Sequence, residues 1–225
     1  MIKLGAKELR TIEPTPEDFK KIKRNPIYIV LDNVLDTYNV GAIFRLADAV
    51  AAERIFLCGE TATPEDPKVG HKIEKASVGT WRWVEWEYCP TAEKVVKKLQ
   101  NSKDQKLQNS KTPMFKTGKT PKIKNSKLAN IQNSRLARSK DQNLEKKIQI
   151  VAIEQDPRSV PYTKAEYQLP LCLVVGNETY GVSKEVLDIS DLIVEIPMFG
   201  VNKSLNVMVS LAIVVYKVME GGGKS

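Results

Sequence analysis

Short apolar runs alternate with segments of helical periodicity along most of the chain. An uninterrupted apolar run bounded by turn residues predicts a buried strand, whereas apolar positions three or four residues apart predict a helix that packs on one face. These patterns predict strands at residues 26–31, 54–59, 81–88, 148–154, 171–175 and 192–196, and helices at residues 39–50, 91–99, 183–189 and 204–219. Such alternation indicates an α/β fold, with a parallel sheet covered by helices on both faces.

Residues 101–147 interrupt this alternation between a predicted helix and the next strand. The tripeptide Asn-Ser-Lys begins at Asn101, Asn109 and Asn125, and the segment is rich in Lys, Gln and Ser with almost no aromatic residues. Such a composition buries too little apolar surface to offset the entropy of ordering the chain. We predict a mobile, low-complexity insertion here. A basic tether that contacts RNA phosphates is an alternative use of the same segment.

The insertion divides the chain into three regions. Residues 1–25 form a predicted N-terminal extension, and residues 26–100 together with residues 148–220 form one predicted domain. A chain of 225 residues is long enough to bury the core of such a domain without disulfides or a structural metal.

The net charge of +8 comes from the insertion. Residues 101–147 contain 13 basic and three acidic residues, whereas the rest of the chain contains 22 basic and 24 acidic residues. A strongly basic balance usually indicates a nucleic-acid partner. Because the excess lies outside the predicted domain, the charge says nothing about what the domain binds.

Cysteine and histidine usage argues against a disulfide framework or a metal site. The three cysteines are far apart, and His71 is the only histidine. The N-terminus has no apolar stretch of signal-peptide length, and no apolar run reaches the roughly 18 residues of a membrane span. We therefore expect a reduced, cytoplasmic protein with no metal and no membrane partner.

Three blocks carry candidate chemistry. The first is Asn-Val-Gly-Ala-Ile-Phe-Arg at residues 39–45, after the first predicted strand. Ligands of parallel sheets bind beyond the carboxyl ends of the strands, so this turn lies where a site is expected. Arg45 stands in an apolar helix and must pair or face a polar ligand, unless it lies on an ordinary exposed face. Asn39 has the alternative role of a helix N-cap.

The second block follows an apolar strand that ends at Gly176. The sequence from there is Gly-Asn-Glu-Thr-Tyr-Gly-Val-Ser, which turns through Gly181 into a helix that begins at Ser183. Glycine at a strand end lets the backbone approach a ligand closely, and Glu178 lies in the turn beside it. Alone, the block is also compatible with an ordinary loop between a strand and a helix.

The third block is Ile-Pro-Met-Phe-Gly-Val-Asn-Lys-Ser-Leu-Asn at residues 196–206. It leads into a helix that is apolar almost all round, which is typical of a helix buried on several sides or packed against a partner. Ser204 has the alternative role of N-cap, and Asn206 that of a side chain bonded only to its own backbone.

Taken together, in this order and spacing, the three blocks resemble the SpoU (TrmH) family of RNA ribose 2′-O-methyltransferases of the SPOUT superfamily. The resemblance spans about residues 26–219 without the insertion. It implies a C-terminal trefoil knot, an obligate homodimer and S-adenosyl-L-methionine as cofactor. Knots are otherwise nearly absent from proteins. The cofactor contacts implied by matching positions are Val175, Gly176, Ile196, Ser204 and Leu205.

The resemblance also implies roles in catalysis. It places Arg45 at the attacking 2′-hydroxyl, Asn39 and Glu178 around that arginine, and Ser204 and Asn206 near the ribose and cofactor. The general base proposed for the family is the arginine. A guanidinium has no free lone pair and a pKa above about 12, which makes it a poor base. We therefore expect Arg45 first of all to orient the attacking hydroxyl and to stabilise charge, while an RNA phosphate or water takes the proton.

The expected substrate is RNA, with tRNA favoured over ribosomal RNA. The stretch Ser-Val-Gly-Thr-Trp-Arg-Trp-Val at residues 77–84 resembles the tRNA-modifying branch of the family, and the N-terminal region is short. Basic residues before the first strand offer a further RNA contact: Arg10, Lys20, Lys21, Lys23 and Arg24. Tryptophans in the 81–88 strand can stack on bases, but tryptophans on a strand are more often part of the core.

Two other classes of function remain open from the sequence. One is a non-catalytic RNA-binding protein that keeps the fold, which would require loss of Arg45 or of the cofactor positions. The other is a nucleotide-binding Rossmann enzyme, although no Gly-x-Gly-x-x-Gly follows a strand.

Overall fold

The computed structural model describes residues 3–101 and 147–222. Seven strands form one sheet in the order β3-β2-β1-β6-β4-β7-β5, and every strand pair is parallel. The strands are β1 (Asn25–Asp32), β2 (Ala52–Cys58), β3 (Trp86–Cys89), β4 (Gln149–Ile153), β5 (Val160–Pro161), β6 (Leu171–Gly176) and β7 (Leu192–Glu195). The predicted insertion lies outside the described residues.

Helices cover both faces of the sheet. They are α1 (Ala6–Thr11), α2 (Pro16–Lys21), α3 (Thr37–Ala49), α4 (Gly70–Ser77), α5 (Ala92–Gln100), α6 (Lys184–Leu187) and α7 (Val207–Gly222). On one face α3, α4 and α7 pack on a core that includes Ile29 and Leu173, and on the other α5 and α6 pack on a core that includes Val30 and Val174. The predicted parallel sheet with helices on both faces is confirmed. The knot stays a prediction.

Burial on both faces explains the continuous apolar runs at the centre of the sheet. All six residues of β6 are buried, and so are the last six residues of β1, which pairs with it. Strands β1 and β6 carry alternate residues to opposite faces, and both faces are covered, so neither strand has an exposed polar row. These two strands place Asp32 and Gly176 side by side at the carboxyl edge.

The predicted aromatic strand at residues 81–88 is mostly wrong. A 3-10 turn covers Thr80–Arg82, and the strand is limited to Trp86–Cys89. The glycine before this turn, Gly79, has a φ of +88° and brings the chain against the backbone of Leu9 in α1. The aromatic composition predicted a strand, but the chain turns at Gly79 to pack beneath α1.

The tryptophans and part of the basic N-terminal group are built into the fold. Trp83 is buried, and the Arg82 guanidinium lies over the Trp81 ring at 4.8 Å and pairs with Glu74 at 2.6 Å. Arg24 donates hydrogen bonds to the carbonyl oxygens of Ala52 and Trp83. Arg24 therefore anchors the segment that leads into β1. Its role is structural, whereas the sequence suggested an RNA contact.

Candidate active site

A cleft of about 460 Å³ opens at the carboxyl edge of the sheet, beyond β4, β6 and β7. Two loops form its walls, which we call the glycine loop (residues 177–183) and the long loop (residues 196–206). The five residues predicted to hold the cofactor all line this cleft: Val175, Gly176, Ile196, Ser204 and Leu205. The fold thus brings together positions that are up to 30 residues apart in sequence.

The glycine loop folds back tightly on the end of β6. Asn177 and Gly181 exchange main-chain hydrogen bonds of 3.0 and 2.8 Å, and Gly181 has a φ of +71°. A Cβ at Gly176 would collide with the backbone of Gly181. Glycine at both positions is therefore required by the turn itself, and the exposed main chain of the turn faces the cleft.

A chain of side-chain hydrogen bonds joins the three sequence blocks. The Asn39 amide Nδ2 donates to Glu178 Oε1 at 3.0 Å, and the Asn206 amide Nδ2 donates to Asn39 Oδ1 at 2.9 Å. Asn39 is 8% exposed. The predicted proximity of Glu178 to the first block is confirmed by this contact, and we call the three residues the polar relay.

Glu178 is held as a carboxylate. Besides Asn39, the main-chain N–H groups of Leu35 and Asp36 donate to its two oxygens, each at 3.1 Å. Partial burial raises the pKa of Glu178, but the hydrogen bonds from Asn39, Leu35 and Asp36 outweigh it and hold that pKa below the ordinary value of a glutamate. With both oxygens engaged, Glu178 is an anchor for the turn that precedes α3.

The helix caps differ from the sequence prediction. Helix α3 begins at Thr37, where the Asp36 side chain accepts from the N–H of Tyr38, so Asn39 lies inside the helix and does not cap it. Helix α7 begins at Val207 rather than at residue 204. Asn206 Oδ1 accepts from the N–H groups of Met208 and Val209, so Asn206, and not Ser204, caps this helix.

Ser204 and Arg45 stand apart from the polar relay. Ser204 is exposed on the cleft wall, and its hydroxyl and N–H both reach Asn202 Oδ1. Arg45 is exposed, does not line the cleft, and makes no hydrogen bond or ion pair within the part of the chain that the structure describes. An α-helix turns about 100° per residue, so a separation of six positions directs the side chains of Asn39 and Arg45 about 120° apart.

Sequence patterns missed a group of polar residues that holds the two loops. Buried Asp32 accepts from the N–H of Ser183 at 2.9 Å. Glu154 accepts from the N–H of Val182, and Gln155 donates to the carbonyl of Lys203. Asp32, Glu154 and Gln155 each lie at the carboxyl end of a buried strand. Ligands of parallel sheets bind beyond these ends, which is the rule that also identified the first block.

Within the described ranges, no group of three or more His, Cys, Asp or Glu residues could hold a metal ion. Burial raises the pKa of the Cys58 and Cys172 thiols, which makes thiolate chemistry unfavourable at both. In the same ranges, no helix is long and apolar enough to cross a membrane.

The fold and the cleft define a class of protein: a parallel α/β domain with a ligand site beyond the carboxyl ends of its strands, built largely from main chain. The sequence profile of the SpoU rRNA Methylase family matches residues 26–123 and 103–216. The chain belongs to this family, and the resemblance carried by the three blocks is confirmed.

Individual relatives agree with this assignment. The tRNA (guanosine(18)-2′-O)-methyltransferase of Aquifex aeolicus is 28% identical over 195 residues, covering 87% of this chain and 69% of that protein. The solved structure of the A. aeolicus TrmH/SpoU tRNA modifying enzyme has a TM-score of 0.61 at 24% identity and covers 97% of this chain and 84% of that one.

A second solved structure, the SpoU methyltransferase AviRb from Streptomyces viridochromogenes in complex with AdoMet, has a TM-score of 0.61 at 20% identity. It covers 94% of this chain, and the chain spans 64% of AviRb. These structures show the shared fold.

Proposed function

We propose that this protein is an S-adenosyl-L-methionine-dependent methyltransferase that modifies a ribose 2′-hydroxyl of RNA. The observation that carries the proposal is the polar relay, in which Glu178, Asn39 and Asn206 join the three blocks beside one cleft. Membership of the SpoU rRNA Methylase family supports the same function.

The cleft suits an adenosyl ligand held by main-chain groups. Its volume of about 460 Å³ lies within the range of small-molecule sites. Val175, Ile196 and Leu205 provide apolar walls, and Gly176 exposes its backbone at the strand end. Leu205 makes no main-chain hydrogen bond within the described residues, so its polar groups are free for a ligand. When bound, the cofactor supplies a methyl group activated by a positively charged sulfur.

The residues of the chain contribute orientation and electrostatics to such a transfer. The attacking hydroxyl must be aligned with the methyl group and must lose its proton. Glu178 is a poor proton acceptor, because its pKa is lowered and both its oxygens already accept hydrogen bonds. Asn39 and Glu178 therefore position the turn and the start of α7, and the proton passes to an RNA phosphate or to water.

Arg45 is proposed to orient the attacking hydroxyl, in the cleft of a second copy of the chain. Its position on α3 directs it away from the cleft of its own chain. A partly exposed apolar strip on α7, formed by the half-buried Val209 and Ile213 and the exposed Tyr216, lies beside α3. It supports a homodimer in which each copy supplies Arg45 to the other.

Titration calorimetry with S-adenosyl-L-methionine tests the proposed function. We expect saturable binding with one site per chain, and weaker binding by Leu205→Asp, which places a charge on the apolar wall. Absence of binding by the folded wild-type protein would favour the non-catalytic RNA-binding alternative. A Rossmann dinucleotide enzyme would instead bind NAD and not S-adenosyl-L-methionine.

We propose tRNA as the substrate, with ribosomal RNA as the second candidate. The A. aeolicus relative is a tRNA (guanosine(18)-2′-O)-methyltransferase, which supports tRNA, whereas the family profile is described by rRNA methylation. The two candidates are distinguished by incubating the protein and labelled cofactor with tRNA and with ribosomal RNA separately. The pool that takes up the label contains the substrate. We also propose a cytoplasmic location, where both kinds of RNA are found.

A further inference from the structure

The carboxyl end of β4 lies between the two loops that form the cleft. Strand β4 ends at Ile153, and the next two residues, Glu154 and Gln155, both line the cleft. The N–H of Glu154 donates to the carbonyl of Val194 in β7 at 3.0 Å, which fixes the backbone at this point. The two side chains leave from a rigid position in the sheet and reach in different directions.

Glu154 holds the glycine loop. Its Oε2 accepts from the N–H of Val182 at 2.8 Å, and its Oε1 accepts from the N–H of Gln155 at 2.8 Å. The carboxylate lies directly against Gly181, where a Cβ would overlap it. The left-handed conformation of Gly181 therefore brings the loop backbone within hydrogen-bond reach of Glu154.

Gln155 holds the long loop. Its Nε2 donates to the carbonyl oxygen of Lys203 at 2.6 Å. Within the part of the chain that the structure describes, this is the one hydrogen bond that joins residues 197–205 to another element. The other hydrogen bonds of this segment are local contacts between Asn202 and Ser204. Because Lys203 is followed by Ser204 and Leu205, the bond fixes the wall that carries two of the proposed cofactor contacts.

We propose that Gln155 is a positioning residue for cofactor affinity, which presets the long loop through Lys203 while Glu154 presets the glycine loop. This inference rests on the proposed function, because it concerns the same cleft. A loop that is already in its bound conformation loses less conformational entropy when a ligand binds. Gln155 touches neither the polar relay nor Arg45, so its effect is on binding and not on the chemical step.

The test compares Gln155→Ala with Gln149→Ala. Gln149 lies at the other end of β4, where its amide donates to the carbonyl of Glu166 and accepts from the N–H of Gln168, away from the cleft. For Gln155→Ala we expect S-adenosyl-L-methionine to bind about three- to tenfold more weakly, the range expected for one exposed hydrogen bond. Turnover at saturating cofactor should stay within about twofold of the wild type, and Gln149→Ala should bind as the wild type does.

A second measurement needs no cofactor. The backbone order parameters of residues 197–205, measured by nuclear magnetic resonance in the cofactor-free proteins, should be lower in Gln155→Ala than in the wild type and unchanged in Gln149→Ala. Gln155→Glu, which keeps the shape but cannot donate to the Lys203 carbonyl, should behave like Gln155→Ala.

The outcomes separate this inference from the proposed function. If the wild type binds the cofactor and both Gln155 variants bind equally well, Gln155 has no positioning role. If the wild type does not bind the cofactor at all, the proposed function fails. Unchanged order parameters at residues 197–205 in Gln155→Ala would by themselves overturn the role of Gln155 in holding the long loop. A fall in turnover without a change in affinity would also contradict it.

Discussion

Asn39 shows how one amide can connect two loops that are distant in sequence. The Glu178 carboxylate can only accept, so the Asn39 nitrogen must face it, and the Asn39 oxygen is then left for the Asn206 amide. The sequence motifs identified all three side chains as candidates. They could not show that the three bond to one another, because the contacts span 139 and 167 residues of chain.

At the scale of single residues, Arg45→Lys tests the proposed role of the guanidinium. Lysine keeps the charge but loses the planar fork that can orient a hydroxyl and a phosphate together. We expect turnover to fall by about tenfold or more with cofactor affinity nearly unchanged. Steady-state kinetics and calorimetry on the same preparation measure both. Turnover near that of the wild type would show that the Arg45 guanidinium has no role in methyl transfer.

Glu178→Gln tests the lowered pKa of Glu178. Because its pKa is lower in the folded state than the ordinary glutamate value of 4.5, the ionised form stabilises the folded protein above that pH, and the stabilisation is lost as the pH falls through the folded pKa. At neutral pH the variant should be less stable by about 1 kcal/mol, a modest value because the carboxylate is exposed.

Thermal unfolding of wild type and Glu178→Gln between pH 7 and pH 3 gives the measurement. The difference in melting temperature should shrink as the pH is lowered below the ordinary glutamate pKa. A difference that stays constant over this range would show that the charge of Glu178 contributes nothing to stability.

At the scale of elements, hydrophobic pattern predicted the strands better than the helix ends. Strands β1 and β6 are buried on both faces and read directly as apolar runs. Helices α3 and α7 begin where Asp36 and Asn206 satisfy free N–H groups, and several polar residues near each start could have done so. Helix α4 was not predicted, since Ile73 is its one large apolar residue and gives no periodic pattern.

Gly176→Ala tests the tight turn of the glycine loop. The added Cβ meets the backbone of Gly181, which has no flexible side chain that could move aside. We expect the free energy of unfolding to fall by about 1–3 kcal/mol, as for other overpacked sites, and cofactor binding to weaken. Gly200→Ala is the matched control for stability, because a Cβ there has no neighbour within 4 Å. Equal urea denaturation midpoints for the two variants would contradict the described turn.

At the scale of the whole molecule, the alternating pattern of strands and helices predicted the fold class. The knot and the dimer are expectations that come from the family resemblance alone. The pattern could not reveal which side of α3 faces the cleft. That question depends on how α3 packs on α4, where Gly41 approaches the backbone of Ile73 too closely for a side chain. This packing directs Arg45 away from the cleft of its own chain, which is why we propose that a second copy supplies it.

Mixed dimers test whether Arg45 acts between copies. A dimer of one Arg45→Ala chain and one Asn206→Ala chain contains one cleft with an intact Asn206 and an Arg45 from its partner. We expect such dimers, purified through two different affinity tags, to recover up to about half of the wild-type activity per dimer, while each variant alone stays nearly inactive. No recovery would mean that Arg45 serves its own chain.

The central claim is methyl transfer to a ribose 2′-hydroxyl of RNA. The direct measurement is incubation of the protein with unmodified tRNA and S-adenosyl-L-methionine labelled in its methyl group, followed by digestion and identification of the labelled nucleosides. The account predicts that the label appears in 2′-O-methylated nucleosides and that Arg45→Lys greatly lowers its rate of appearance. Label in base-methylated nucleosides, or no label in any RNA from a protein that binds the cofactor, would contradict it.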